Sequence, residues 1–150
     1  LWNPNACGVF YGLNYAKTRA HLIRAVMEGV AFALKHNLEV AQSAGACAGT
    51  LRAMGGSANS AVWTQIKADV TGRRIEVPAS DTATTLGAAI LAGVGTGVYQ
   101  SFADASKRTV MVKRVYEPNA ATQNVYEQSY RAYRELYQRL EPMMGEPQKP

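Results

Sequence analysis

The chain has 150 residues, 47% of them hydrophobic and 18% charged, with a formal net charge of +5. That length is one domain, or one lobe of something larger, able to bury roughly 70% of its unfolded surface, and the composition excludes disorder. No apolar run is long enough to cross a bilayer, and the sixteen Lys and Arg are scattered rather than gathered into a basic stripe, so neither a membrane nor nucleic acid is expected as a partner.

Leu1 to Asn5 has no initiator Met and no signal-peptide pattern, and reads as the middle of a longer protein. Asn3-Pro4-Asn5 is turn chemistry, and Val9-Phe10-Tyr11, between Gly8 and Gly12, has the composition of a short strand. Cys7 and Cys47 fit reduced thiols in a cytoplasmic setting and make no metal-ligand spacing with His21 and His36.

Thr18 is an N-cap candidate, although His21 stands where a capping box would place Glu or Gln. The helix it opens carries Leu22, Ile23, Val26, Met27, Val30, Ala31 and Leu34 on one stripe and is expected to stop at Gly45. Gly29, inside that helix, predicts close packing against another backbone. Glu28, at the edge of the stripe, is a functional carboxylate, a hydrogen-bonding strut or simply exposed.

The stretch from Leu51 to Val77 says most about chemistry. Leu51 to Met54 reads as a short buried strand that stops at Gly55-Gly56. Ser57, Asn59 and Ser60 offer side-chain oxygens where a helix begins, and Val62, Trp63, Ile66 and Val70 recur at helical spacing. Strand, glycine turn and helix start together suit an anionic or nucleotide ligand. The first helical N–H groups lack partners within the helix, and glycine has no Cβ to hold a ligand off the main chain. The same pattern also describes a plain tight turn, and no P-loop or dinucleotide fingerprint accompanies it, which argues against a Rossmann-type enzyme.

Thr71-Gly72 ends that helix, and Arg73 to Val77 alternates as a strand with Ile75 and Val77 inward and Pro78 closing it. Asp81 and Thr82 precede Leu86 to Gly93, whose small residues predict a tightly packed helix ending at Gly93, Gly95 and Gly97. Ser101 to Ala105 is a short capped helix, and Val110 to Tyr116 an extended run. Thr122 to Leu140 is a second long helix with Tyr126, Tyr130, Tyr133 and Tyr137 on one stripe, packed on a domain surface with polar tips outward. Alternating helices and strands predict an α/β lobe, residues 1–141, followed by a flexible tail, 142–150.

These residues resemble the FGGY family of carbohydrate kinases. Gly8, Phe10, Gly12 and Leu13, then after seven residues His21, Leu22, Ala25, Val26, Met27 and Glu28, fit the family's second signature pattern. Gly55, Gly56, Trp63, Gln65, Ala68-Asp69 and Gly72-Arg73 look like its adenine-nucleotide segment, and Leu86-Gly87-Ala88-Ala89 with Leu91-Ala92-Gly93 like its next helix. The resemblance implies a partial ribonuclease-H-like, actin-like ATPase lobe that binds ATP for transfer to a sugar hydroxyl, most like the xylulose kinases. It implies that Gly55, Gly56, Ser57, Asn59 and Ser60 meet the nucleotide, with Ser60 toward the adenosine end. It also implies that the catalytic Asp, the Mg2+ carboxylates and the sugar pocket belong to a missing N-terminal part, so that this chain alone is inactive and could self-associate through uncovered apolar surface. Two positions depart from the family pattern: Ser57 replaces a third glycine, and Cys7 stands where Arg is common. Other readings are a kinase for glycerol, gluconate or ribulose, or a non-catalytic actin-like binding module.

Overall fold

The computed structural model describes residues 3–79 and 82–144. The described residues form five α-helices and a three-stranded sheet, with α2 packed on the sheet: α1 (Arg19–Ser43), β1 (Thr50–Arg52), α2 (Ala61–Thr71), β2 (Arg74–Pro78), α3 (Ala83–Gly95), α4 (Phe102–Thr109), β3 (Val112–Tyr116) and α5 (Gln123–Met144). Short 3-10 turns precede α2 (Gly56–Asn59) and α5 (Ala120–Thr122). The sheet order is β1-β2-β3. β1 runs parallel to β2, with Leu51 beside Ile75, and β3 is antiparallel to β2, with Arg114 beside Val77.

Helix α1 starts where the sequence places it. His21 takes the part of the capping-box carboxylate, its Nδ1 accepting the Thr18 N–H at 3.1 Å, which fixes the other ring nitrogen as the protonated one. The core lies among α1, α2 and α5: Ala31, Phe32, Ile66, Val70, Tyr126 and Tyr130 are buried, with Met27 and Tyr133 packed against them. The Phe32 ring is its hub, with ring centroids 6.4, 6.0 and 5.6 Å from Tyr126, Tyr130 and Tyr133. Phe32 is off the apolar stripe read from the sequence, whereas Ile23, Val26 and Val30, which are on it, are exposed.

Two of the tyrosine tips of α5, those of Tyr126 and Tyr130, turn toward α1 and not outward. The Tyr126 hydroxyl donates to Glu28 at 3.1 Å and accepts from Arg24 at 2.8 Å, and the Tyr130 hydroxyl donates to Glu39 at 2.6 Å. Lys35 closes on Glu127 at 2.7 Å. Charged groups rooted on α1 therefore satisfy the phenols that packing buries, and Glu28 is a strut.

Four further expectations are corrected. Val9-Phe10-Tyr11 is exposed loop and not strand, because no strand of the described residues lies alongside to take its backbone hydrogen bonds. Gly29 meets no neighbouring backbone, and a Cβ built there would touch nothing within 4 Å. Helix α3 buries none of its residues, with Leu91 63% exposed, so its small side chains do not mark tight helix packing. The close approach at Gly93 is to a ring, since a Cβ there would lie 2.6 Å from Tyr99. Helix α5 continues past Leu140 through Pro142 to Met144, so residues 142–144 of the expected tail are helical. Residues 145–150 and Asp81 lie outside the described residues.

Candidate nucleotide site

The chain leaves β1 with one more ladder bond, Ala53 N–H to the Glu76 carbonyl at 2.9 Å, and then turns at Gly55, whose φ is 81° and ψ −175°. That combination is essentially reserved for glycine. Gly56 to Asn59 form the 3-10 turn, locked by Ala58 N–H to the Gly55 carbonyl at 3.0 Å. Ser60 then caps α2, its Oγ accepting from Trp63 N–H at 3.3 Å while its carbonyl accepts from Thr64 N–H at 3.0 Å. Strand, glycine turn and helix start are therefore all present, with the 3-10 turn inserted between the last two.

The five residues singled out in the sequence are brought together on one exposed bend. Gly55 and Gly56 are exposed, with nothing within 4 Å of the position a Cβ would take on either. Main chain is thus open to a ligand there, and the first N–H groups of a 3-10 or α-helix have no partner inside it. Asn59 and Ser60 are exposed and Ser57 half-buried.

Two cations that sequence reasoning passed over support this bend. Lys67, on α2, donates from Nζ to Ser57 Oγ at 3.3 Å and sits 4.2 Å above the Trp63 ring. Burial alone holds its ammonium below the usual amine range. Arg114, on β3, donates to the Ala58 carbonyl at 3.0 Å from beneath, and its Nε is buried with no partner among the described residues. Arg114 carried no local signal, because it acts across 56 residues, whereas Lys67 stands at i+4 from Trp63 and its spacing on α2 could have pointed to the ring contact.

The other motif residues serve as scaffold. Trp63 Nε1 donates to the Met27 carbonyl of α1 at 3.3 Å. Asp69 accepts from Gln65 at 2.7 Å and from Asn119 N–H at 2.9 Å, pinning the approach to α5. Gly72 ends α2 in the left-handed region at φ 65°, and Arg73 donates to the Ala48 carbonyl.

An open cavity of about 540 Å³ lies elsewhere, between the loop from Gly8 to Leu13 and α1, where Phe10, Gly12, His21, Leu22 and Glu28 converge. A second, of about 430 Å³, begins beside the bend at Met54 and is lined by Pro78, Leu86, Ile90 and Val110. The bend differs from the first of these cavities in its backbone: a glycine held at φ 81° opens main chain directly ahead of the start of α2, where unpartnered N–H groups face a ligand. No group of three or more His, Cys, Asp or Glu that could hold a metal ion occurs among the described residues.

A family model described as the C-terminal domain of the FGGY family of carbohydrate kinases matches residues 1–96. The chain belongs to the FGGY family of carbohydrate kinases. Its match falls on the C-terminal domain, and the fold is the α/β, ribonuclease-H-like lobe of the actin-like ATPases in part, helices packed on a sheet. The L-xylulose/3-keto-L-gulonate kinase of Escherichia coli (strain K12) is 39% identical over 132 residues, 88% of this chain and 26% of that enzyme. Solved structures agree. The xylulose kinase from Rhodospirillum rubrum superposes with a TM-score of 0.87 at 33% identity, over 96% of this chain and 29% of that one. A ligand-bound xylulose kinase from Lactobacillus acidophilus gives 0.88 at 26% identity, over 96% and 29%. This FGGY domain thus spans under a third of the length of these relatives.

Proposed function

We propose that this FGGY domain is the nucleotide-holding C-terminal portion of a cytoplasmic carbohydrate kinase that transfers the γ-phosphoryl group of ATP to a sugar hydroxyl. The observation that carries the reading is the Gly55 bend, held at φ 81° with open space over Gly55 and Gly56. There the main-chain N–H groups and the oxygens of Ser57, Asn59 and Ser60 receive the nucleotide, with Ser60 toward adenosine. D-xylulose, giving D-xylulose 5-phosphate, is the substrate favoured by the relatives named xylulose kinases. The E. coli relative named for L-xylulose and 3-keto-L-gulonate keeps other ketoses in view as the second reading.

Bound ATP supplies the phosphoryl group, and no group of three or more His, Cys, Asp or Glu gathers among the described residues. The acceptor and the metal are assigned to the N-terminal portion of the kinase, and Asp69, engaged with Gln65 and Asn119, is not a substitute for its catalytic carboxylate. Helix-terminus donors contribute at most about 2 kcal/mol, whereas micromolar binding needs about 8 kcal/mol. Titration of ATP into this chain is therefore expected to give a millimolar or weaker dissociation constant and no turnover. A low-micromolar constant would show a more complete site, and a nucleotide complex with ligand far from Gly55 would end the assignment. Kinase assays of the full-length protein against ketoses and polyols identify the sugar.

A further inference from the structure

Lys67 differs from the ion-paired cations that hold the helices together. Arg24, Lys35, Arg74 and Arg134 each close on a carboxylate, whereas among the described residues none pairs with Lys67. It is instead folded back along α2 over the indole of Trp63, 4.2 Å from the ring centroid, and its ammonium ends 3.3 Å from Ser57 Oγ at the glycine bend. The aromatic face stabilises the cation without neutralising it, so the positive charge stays available to an anion.

The hydrogen-bond inventory of serine then decides what Ser57 can do. A hydroxyl has one proton to give and two lone pairs. An ammonium is a donor only, so the contact with Lys67 must use a lone pair of Ser57 Oγ. The Ser57 proton is left to point elsewhere, polarised by the charge behind it, and the open side of the bend lies over Gly55 and Gly56.

We propose that Lys67 is a positioning residue for the nucleotide: by holding Ser57 Oγ it aims the Ser57 hydroxyl as a charge-assisted donor at an anionic phosphate oxygen bound over Gly55 and Gly56. This rests on the nucleotide reading of the bend and adds to it the part recognised, phosphate rather than base or ribose. It also gives Ser57, where the family resemblance places a third glycine, a chemical task that glycine lacks.

The test is nitrogen-15 NMR titration of this chain with ADP and, separately, with adenosine. In the unsubstituted chain ADP shifts the amides of Gly55, Gly56 and Ser57. Lys67→Met is expected to weaken ADP about tenfold while leaving adenosine within about twofold, the scale of one charge-assisted bond lost to phosphate alone. Lys67→Arg, which keeps a charged donor, recovers most of the ADP affinity. Ser57→Ala, at a half-exposed turn position, reproduces the loss without touching the helix, and combining it with Lys67→Met adds little. Dispersed spectra of each variant establish that it is folded. Unchanged ADP binding in both Lys67→Met and Ser57→Ala overturns the inference and leaves the nucleotide reading standing, as does equal weakening of ADP and adenosine, the mark of a purely structural lysine. Absence of any ADP-induced shift at Gly55 and Gly56 in the unsubstituted chain, with ADP raised well above the millimolar range, overturns both.

Discussion

Substituting alanine at Gly55 and, separately, at Gly56 separates backbone strain from ligand access. At Gly55 the backbone lies at φ 81° and ψ −175°, a region where a side chain costs of order 1–3 kcal/mol. Against that, alanine restricts the unfolded chain, worth about 0.4–1 kcal/mol toward stability. Space is not the issue, since the added Cβ meets nothing within 4 Å. Gly55→Ala is therefore expected to lose about 1–2 kcal/mol net, a fall in Tm of about 2–8 °C for a chain of this size. Gly56 has no positive φ and an equally open Cβ position, so only the unfolded-state gain applies and Gly56→Ala is neutral or slightly stabilising. In the proposed site that methyl group stands in the path of the nucleotide to the main chain, so Gly56→Ala is expected to weaken ADP while Tm holds. Urea denaturation and thermal unfolding, paired with ADP titration, read out both. Gly55→Ala as stable as the parent chain, or Gly56→Ala losing as much as Gly55→Ala, would refute the strain argument.

Phe32→Ala empties the hub between three tyrosine rings and is expected to cost about 3–5 kcal/mol in urea denaturation, more than any single change on α3, where nothing is buried. Asp69→Ala strands Gln65 and the Asn119 N–H and is expected to cost about 1–3 kcal/mol with ADP affinity of the folded chain unchanged; loss of nucleotide binding without loss of stability would move Asp69 from scaffold to site. Burial, reinforced by the hydrogen bond to Glu39, raises the Tyr130 hydroxyl from 10.0 to about 12. Native protein thus holds that proton longer than unfolded protein, and its contribution is complete below pH 10 and lost as pH rises through about 12. Unfolding midpoints followed over that range should fall less steeply in Tyr130→Phe; an identical slope would remove Tyr130 as the cause.

Periodicity and turn chemistry located the elements where local physics decides them. Ser60 and Thr18 start helices because their side chains and the bonds near them are short-range, and Gly72 ends α2 for the same reason. The sequence also marked the bend at Gly55-Gly56, since a positive φ leaves a glycine in the chain. Long-range partners were not legible. Phe32 looked off-stripe because α1 is covered by α2 on one side and α5 on another, so its buried face is not a single stripe. The tyrosines of α5 read as amphipathic surface residues, and only the placement of Glu28 and Glu39 on α1 shows why their hydroxyls can be buried. Val9 to Tyr11 has strand composition, but composition does not provide a neighbouring strand. Lys67 and Arg114 escaped notice because nothing near them in the chain speaks of Ser57 or Ala58.

The Ala58 carbonyl is held by a guanidinium 56 positions further along the chain. At a synthesis rate of about 5–20 residues per second, the glycine motif leaves the ribosome about 3–11 s before the arginine that anchors it. A nascent chain stalled within that window carries every letter of the motif without its anchored shape, and the proposed capture of nucleotide waits until the third strand has been made.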